Sequence, residues 1–153
     1  MSKSHVVKLT IKNETGYEMT NPIPWFDSGR VADGWSIPTV IRSGEVHIVE
    51  MYEKDWSTAG CSGSINYDIG DGVITIAFSN PSVGSNKLGC GPATKRIWDD
   101  MDDHGYKPFT EEFQVGSLKI KTMESCTDGN VNQANVRLLL MANNSVNGNG
   151  VTK

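Results

Sequence analysis

Residues 73–91 read V-I-T-I-A-F-S-N-P-S-V-G-S-N-K-L-G-C-G, and the change of character at residue 79 decides the fold. In the first half Ile74, Ile76 and Phe78 fall on one side of an extended chain, with Val73, Thr75 and Ala77 on the other. A period of two, rich in β-branched residues, predicts a strand with at least one buried face. Ser79, Asn80 and Pro81 end it, because proline has no N–H to give to a ladder. The small polar residues that follow, Ser82, Gly84, Ser85 and Asn86, predict an exposed loop held out by a rigid strand, which suits a binding surface. An ordinary strand end with a turn accounts for the same residues.

The alternation extends outward in both directions. Before this stretch, His5 to Lys12 places Val7, Leu9 and Ile11 inward, and residues 13–16 (N-E-T-G) form a turn into a return strand over 17–21. Pro22 and Pro24 break regularity. Residues 45–52 and 60–68 are further strands, the second joined to the central one by the hairpin I-G-D-G at 69–72. After it, residues 94–103 carry Ile97, Trp98 and Met101 at a helical spacing, with Thr94 as cap and Gly105 as terminator. Strands resume over 109–115, 118–123 and 134–141, with Val136, Leu138 and Leu140 on one face. The sum is an all-β protein, an antiparallel β-sandwich of about eight short strands with one short helix. The sandwich occupies residues 1–141, and residues 142–153 (A-N-N-S-V-N-G-N-G-V-T-K) read as a flexible polar tail.

A chain of 153 residues with 37% hydrophobic and 21% charged residues supports one domain with a real core. The net charge of -4 and the lack of any basic run longer than a pair exclude a phosphate-backbone binder, so no nucleic acid partner is expected. The start, M-S-K-S-H-V-V-K, has no apolar segment of signal-peptide length, and no stretch approaches a membrane-spanning helix. The expectation is a soluble protein without a classical signal peptide. The three cysteines, Cys61, Cys90 and Cys126, make no framework of pairs and read as buried thiols.

Catalytic chemistry finds little to stand on. Of the histidines, His5 and His47 lie in strand patterns, and no G-x-S-x-G elbow, zinc spacing or phosphate-binding glycine loop is present. Asp99, Asp100, Asp102 and Asp103 with His104 are the one candidate for calcium, without the glutamate of an EF-hand, and a solvated face is the simpler reading. The expectation is therefore a non-enzyme with no cofactor and no metal. The aromatics carry more information. Trp25, Phe26, Trp35, Trp56, Trp98 and Tyr106 lie in or beside turns, where amphipathic rings enter a membrane interface, stack on a sugar, or close the ends of a sandwich.

Three stretches also resemble known proteins: 6–16 (V-V-K-L-T-I-K-N-E-T-G), 59–67 (A-G-C-S-G-S-I-N-Y) and above all 76–87 (I-A-F-S-N-P-S-V-G-S-N-K). In this order they are similar to the aegerolysin-like small component of bacterial binary insecticidal toxins. More distantly the chain resembles the actinoporin and fungal fruit-body lectin group of cytolysin β-sandwiches. The resemblance implies a membrane-binding component of a pore-forming toxin. It would be released to act at a target-cell membrane, recognise a lipid head group or surface receptor, and act with a larger protein partner or by self-oligomerisation. Ser79 and Pro81 match a serine and a proline that line a phosphocholine pocket in actinoporins. Trp98 keeps an aromatic where that pocket has tyrosines, whereas Asp102 and Asp103 replace two of them. The amphipathic helix that precedes the first strand of actinoporins has no counterpart here, which favours the two-component reading. The candidate contact set is Ser79, Asn80, Pro81, Ser85, Asn86, Lys87, Trp98 and Tyr106, and the alternative is a carbohydrate-binding lectin on the same sandwich.

Overall fold

The computed structural model describes residues 3–142, and in it the alternation resolves into eleven strands. They are β1 (Val6–Glu14), β2 (Met19–Ser28), β3 (Arg30–Val31), β4 (Val40–Ile41), β5 (Val46–Tyr52), β6 (Gly60–Ile69), β7 (Gly72–Pro81), β8 (Lys87–Pro92), β9 (Phe109–Val115), β10 (Leu118–Ser125) and β11 (Val131–Leu140). A six-stranded sheet has the order β3-β5-β1-β11-β10-β9 and a five-stranded sheet the order β4-β2-β6-β7-β8. The inward positions of the two sheets meet in one core. Val7, Leu9, Ile11, Val136 and Leu138 come from the larger sheet, and Ile65, Tyr67, Ile74, Ile76 and Phe78 from the smaller. The largest of these, Tyr67, is fully buried because its hydroxyl donates to the carbonyl of Pro38 at 2.7 Å. The all-β sandwich read from the sequence is the observed architecture, and the three thiols are buried and free.

The details differ in four places. The sheets are antiparallel except at one seam, where β1 and β11 run parallel from Val6 beside Val131 to Glu14 beside Leu139. The turn after β1 does not make a hairpin, since β2 crosses to the other sheet and pairs with β6. The loop expected after β7 is loop over 82–86, and a strand the sequence reading did not assign, β8, follows and pairs with β7 from Lys87 opposite Ser79 to Pro92 opposite Ile74. The helix over 94–103 shrinks to one turn, α1 (Ile97–Asp100), with Arg96 rather than Thr94 at its N-cap and no side-chain cap. Gly105, expected to end it, adopts φ 63° inside a separate 3-10 turn at residues 104–106. The polar tail lies outside the described residues beyond Ala142.

The outer face of β7 is covered too. Gly89 and Gly91 of β8 stand beside Ala77 and Thr75, and their missing side chains admit the segment that carries α1. A Cβ on Gly91 would meet Ile97 Cδ1 at 2.2 Å. Ile97 is buried there, and Ala77 and Thr75 are 0% and 6% exposed.

One carboxyl sits inside the sandwich. Glu124 of β10 faces inward and is 3% exposed. Thr122 Oγ1 donates to its Oε2, whereas Oε1 has no hydrogen-bond partner among the described residues. Burial comes first, and the neighbouring carboxyl of Glu111 on β9 second, in pushing Glu124 up to about 9. Burial and the adjacent Glu111 carboxyl both disfavour the charged form of Glu124.

Candidate functional site

The loops at one end of the sandwich are locked by asparagines. Asn80, at the end of β7, donates from Nδ2 to the carbonyls of Val6 at 3.0 Å, Asn130 at 3.0 Å and Gly129 at 3.3 Å. Asn86 donates to Thr127 at 2.8 Å and Gly129 at 3.0 Å. Asn132 of β11 donates to Ser79 at 2.9 Å and Lys87 at 3.2 Å. Carbonyls at strand ends need donors, and these amides supply them from neighbouring loops. The 82–86 loop is thereby tied to the turn before β11.

This accounts for most of the residues singled out in the sequence. Ser79, Asn80 and Asn86 are 5%, 3% and 4% exposed, not displayed on an open loop. Ser79 spends its hydroxyl on Ser62 at 2.6 Å. Ser85 hydrogen-bonds Asp103, whose carboxyl is held below its usual value chiefly by the N–H of Gly105. The Tyr106 hydroxyl accepts the N–H of Asn86 at 3.2 Å. Pro81 and Lys87 remain half-buried at the rim. Structure therefore gathers Ser79, Asn80, Pro81, Ser85, Asn86, Lys87 and Tyr106 at one end as a brace. Trp98 lies apart, on the outer face of the smaller sheet.

Two apolar residues project from the braced end. Trp56, in the loop between β5 and β6, is 104% exposed, and Val83, at the tip of the 82–86 loop, is 88% exposed. The two loops rise from neighbouring strand ends, since Gly60 pairs with Pro81. Trp56 also has φ 63°, a left-handed conformation that is strained for a bulky residue. Lys54 and Lys87 stand at this end with no ion pair among the described residues. Val83 escaped the sequence reading, although a lone valine in S-V-G-S was a signal.

On the outer face of the smaller sheet Trp25 of β2 meets Trp98 edge to face, with ring centroids 5.4 Å apart and planes at 86°. Trp25 reaches this face because β2 is an edge strand beyond Thr20, which lets it carry Pro22 and Pro24. A cleft of about 200 Å³ opens beside the pair, floored by Ser64, Asn66 and Thr75, with Lys95 and Arg96 at its mouth.

Among the described residues no nucleophile is brought together with a base. His5 Nδ1 is 2.8 Å from Glu53 and His47 Nε2 is 3.0 Å from Glu45. Burial pushes the Cys61 and Cys126 thiols up to about 12 and about 11, away from the reactive thiolate. Among the described residues no group of His, Cys, Asp and Glu is placed to hold a metal.

The same sandwich recurs among solved structures. No family model matches the chain and no curated protein matches it. Among solved structures it is similar to the lipid binding protein Nakanori, at TM-score 0.70 and 16% identity over 91% of this chain and 72% of that one. It is also similar to IP-1A from Alcaligenes faecalis, at TM-score 0.54 and 12% identity over 92% and 95% of the two chains. A substituted form of the Xerocomus chrysenteron lectin XCL gives TM-score 0.53 and 13% identity over 90% and 99%. The resemblance to aegerolysin-like and fungal-lectin sandwiches thus holds at the level of the fold.

Proposed function

We propose that the chain is a non-catalytic membrane-binding module of the cytolysin type, which docks through the end bearing Trp56 and Val83. It recognises lipid head groups or a surface receptor and works with a larger pore-building partner or in a self-oligomer. The observation that carries this reading is a fully exposed tryptophan held in a strained backbone conformation on a braced loop. Water is a costly environment for such a ring, and strain of this kind persists where function requires it. The description of Nakanori as a lipid binding protein supports the same reading. The net charge of -4 gives no general attraction to anionic bilayers, so the docking favours zwitterionic or neutral lipids. Among the described residues no helix is long and apolar enough to cross a membrane.

Sedimentation with vesicles of phosphatidylcholine, of phosphatidylcholine with sphingomyelin and of anionic lipid tests the proposal. Binding is expected to zwitterionic vesicles. Trp56→Ala forfeits roughly 2 kcal/mol of apolar transfer, about a 30-fold weaker partition. A wild-type chain that stays in the supernatant with every vesicle, or a Trp56→Ala chain that pellets like wild type, would refute it.

A further inference from the structure

The Trp25–Trp98 cleft lies on the flank of the sandwich, away from the loops that carry Trp56, and it has the parts of a sugar site. Its walls are two indoles at a right angle, so a ligand with a flat apolar face can lie on Trp25 while its edge meets Trp98. Trp25 is 46% exposed, which leaves that ring available for stacking. Its floor is polar and ordered. Thr75 Oγ1 donates to Asn66 Oδ1 at 2.7 Å, which fixes the amide and leaves its two N–H donors unspent beside the cleft. The wall holds a further unspent donor, since Trp98 Nε1 is enclosed with no hydrogen-bond partner among the described residues.

These features decide among ligand classes. A quaternary ammonium needs ring faces with no competing cation, and Lys95 lines the cleft, beside Arg96, which is paired with Asp99 at 2.8 Å. A bare acyl chain would leave the donors of Asn66 unpaired. A pyranose satisfies both conditions, with C–H groups on one face and hydroxyls around its edge.

We propose that this cleft binds the terminal pyranose of a surface glycan, stacked on Trp25, with its hydroxyls on Asn66 and Ser64. The site is separate from the membrane-docking end, and either can exist without the other.

The full chain on an array of defined glycans gives the first readout, and intrinsic tryptophan fluorescence titrated with the matching free monosaccharide gives the second. The expected result is binding to glycans that share one terminal sugar, weakened at least tenfold in Trp25→Ala and in Asn66→Ala but unchanged in Trp56→Ala. Competition by the free monosaccharide would place recognition on the sugar itself. Vesicles that lack any glycan serve as the control for lipid docking, which Trp25→Ala leaves intact. A folded wild-type chain that binds no glycan on the array, or binding that survives both cleft substitutions, would overturn the proposal while leaving the membrane reading standing.

Discussion

Replacing Glu124 by Gln is expected to stabilise the fold at alkaline pH and to remove a pH dependence that the wild type carries. The side chain lies against Glu111 of β9, Cys90 of β8 and Thr122 of its own strand, with no cation among these neighbours. Burial, and then the Glu111 carboxyl, push its carboxyl up from the ordinary glutamate value to about 9 in the fold. Between those values the folded state holds one proton that the unfolded state has released. Stability therefore falls as pH rises, by at most ~1.4 kcal/mol per pH unit. From pH 6 to pH 8 the ceiling is about 3 kcal/mol, roughly 6–12 °C in Tm for a domain of this size. Glutamine keeps the shape, accepts from Thr122 and donates to Glu111 without ionising. The assay is thermal unfolding of wild type and Glu124→Gln at half-unit steps from pH 5 to 8.5, with the two curves subtracted. Glu14, Glu45, Glu53, Asp33, Asp71 and Asp103 are all held low by their partners, so they lose their contribution only as pH falls below the ordinary carboxylate range. The difference curve should rise steadily toward high pH. A flat difference would show that Glu124 is ionised in the fold and that the argument from burial is wrong.

Asn80→Ala removes the amide from the Val6 carbonyl, while Gly129 keeps Asn86 and Asn130 keeps the Val6 N–H, and should cost about 1–2 kcal/mol in a denaturant titration, whereas a ligand-contacting loop residue would leave the midpoint unmoved. Gly63→Ala sets a Cβ 2.2 Å from the backbone carbonyl oxygen of Trp25 and should cost at least ~3 kcal/mol, read as lost soluble yield or a collapsed Tm. Gly91→Ala makes an equally close approach, but to the movable tip of Ile97, so the cost should be nearer ~1 kcal/mol. Trp56→Gly removes a left-handed tryptophan and should raise stability by about 1 kcal/mol while abolishing vesicle binding. A fall in both would mean that Trp56 is structural.

The strands were legible where one face is apolar. In β7 and β1 the alternation names the inward residues, because period two and burial coincide. The strand β8 was hidden because its outward positions, Gly89 and Gly91, carry no side chain to alternate. The same absence makes room for Ile97. Asn80 and Asn86 misled for a different reason. A polar residue near a proline-glycine loop reads as exposed, whereas these amides are drawn inward by backbone carbonyls up to 74 positions away. No local pattern encodes that demand. Trp25 was obscured by its flanking prolines, which suggest a broken chain. They are tolerated because β4 pairs only with Met19 and Thr20 and leaves the rest of that edge without a neighbour.

The parallel seam between the first and last strands bears on how the molecule is made. Until residues 131–140 leave the ribosome, β1 has a neighbour on one side only, and the larger sheet exists as two fragments with exposed edges. A nascent chain stalled before that point would be a sticky species, prone to pair with its own kind. Completion of the sheet, and with it a stable sandwich, therefore waits on the synthesis of β11.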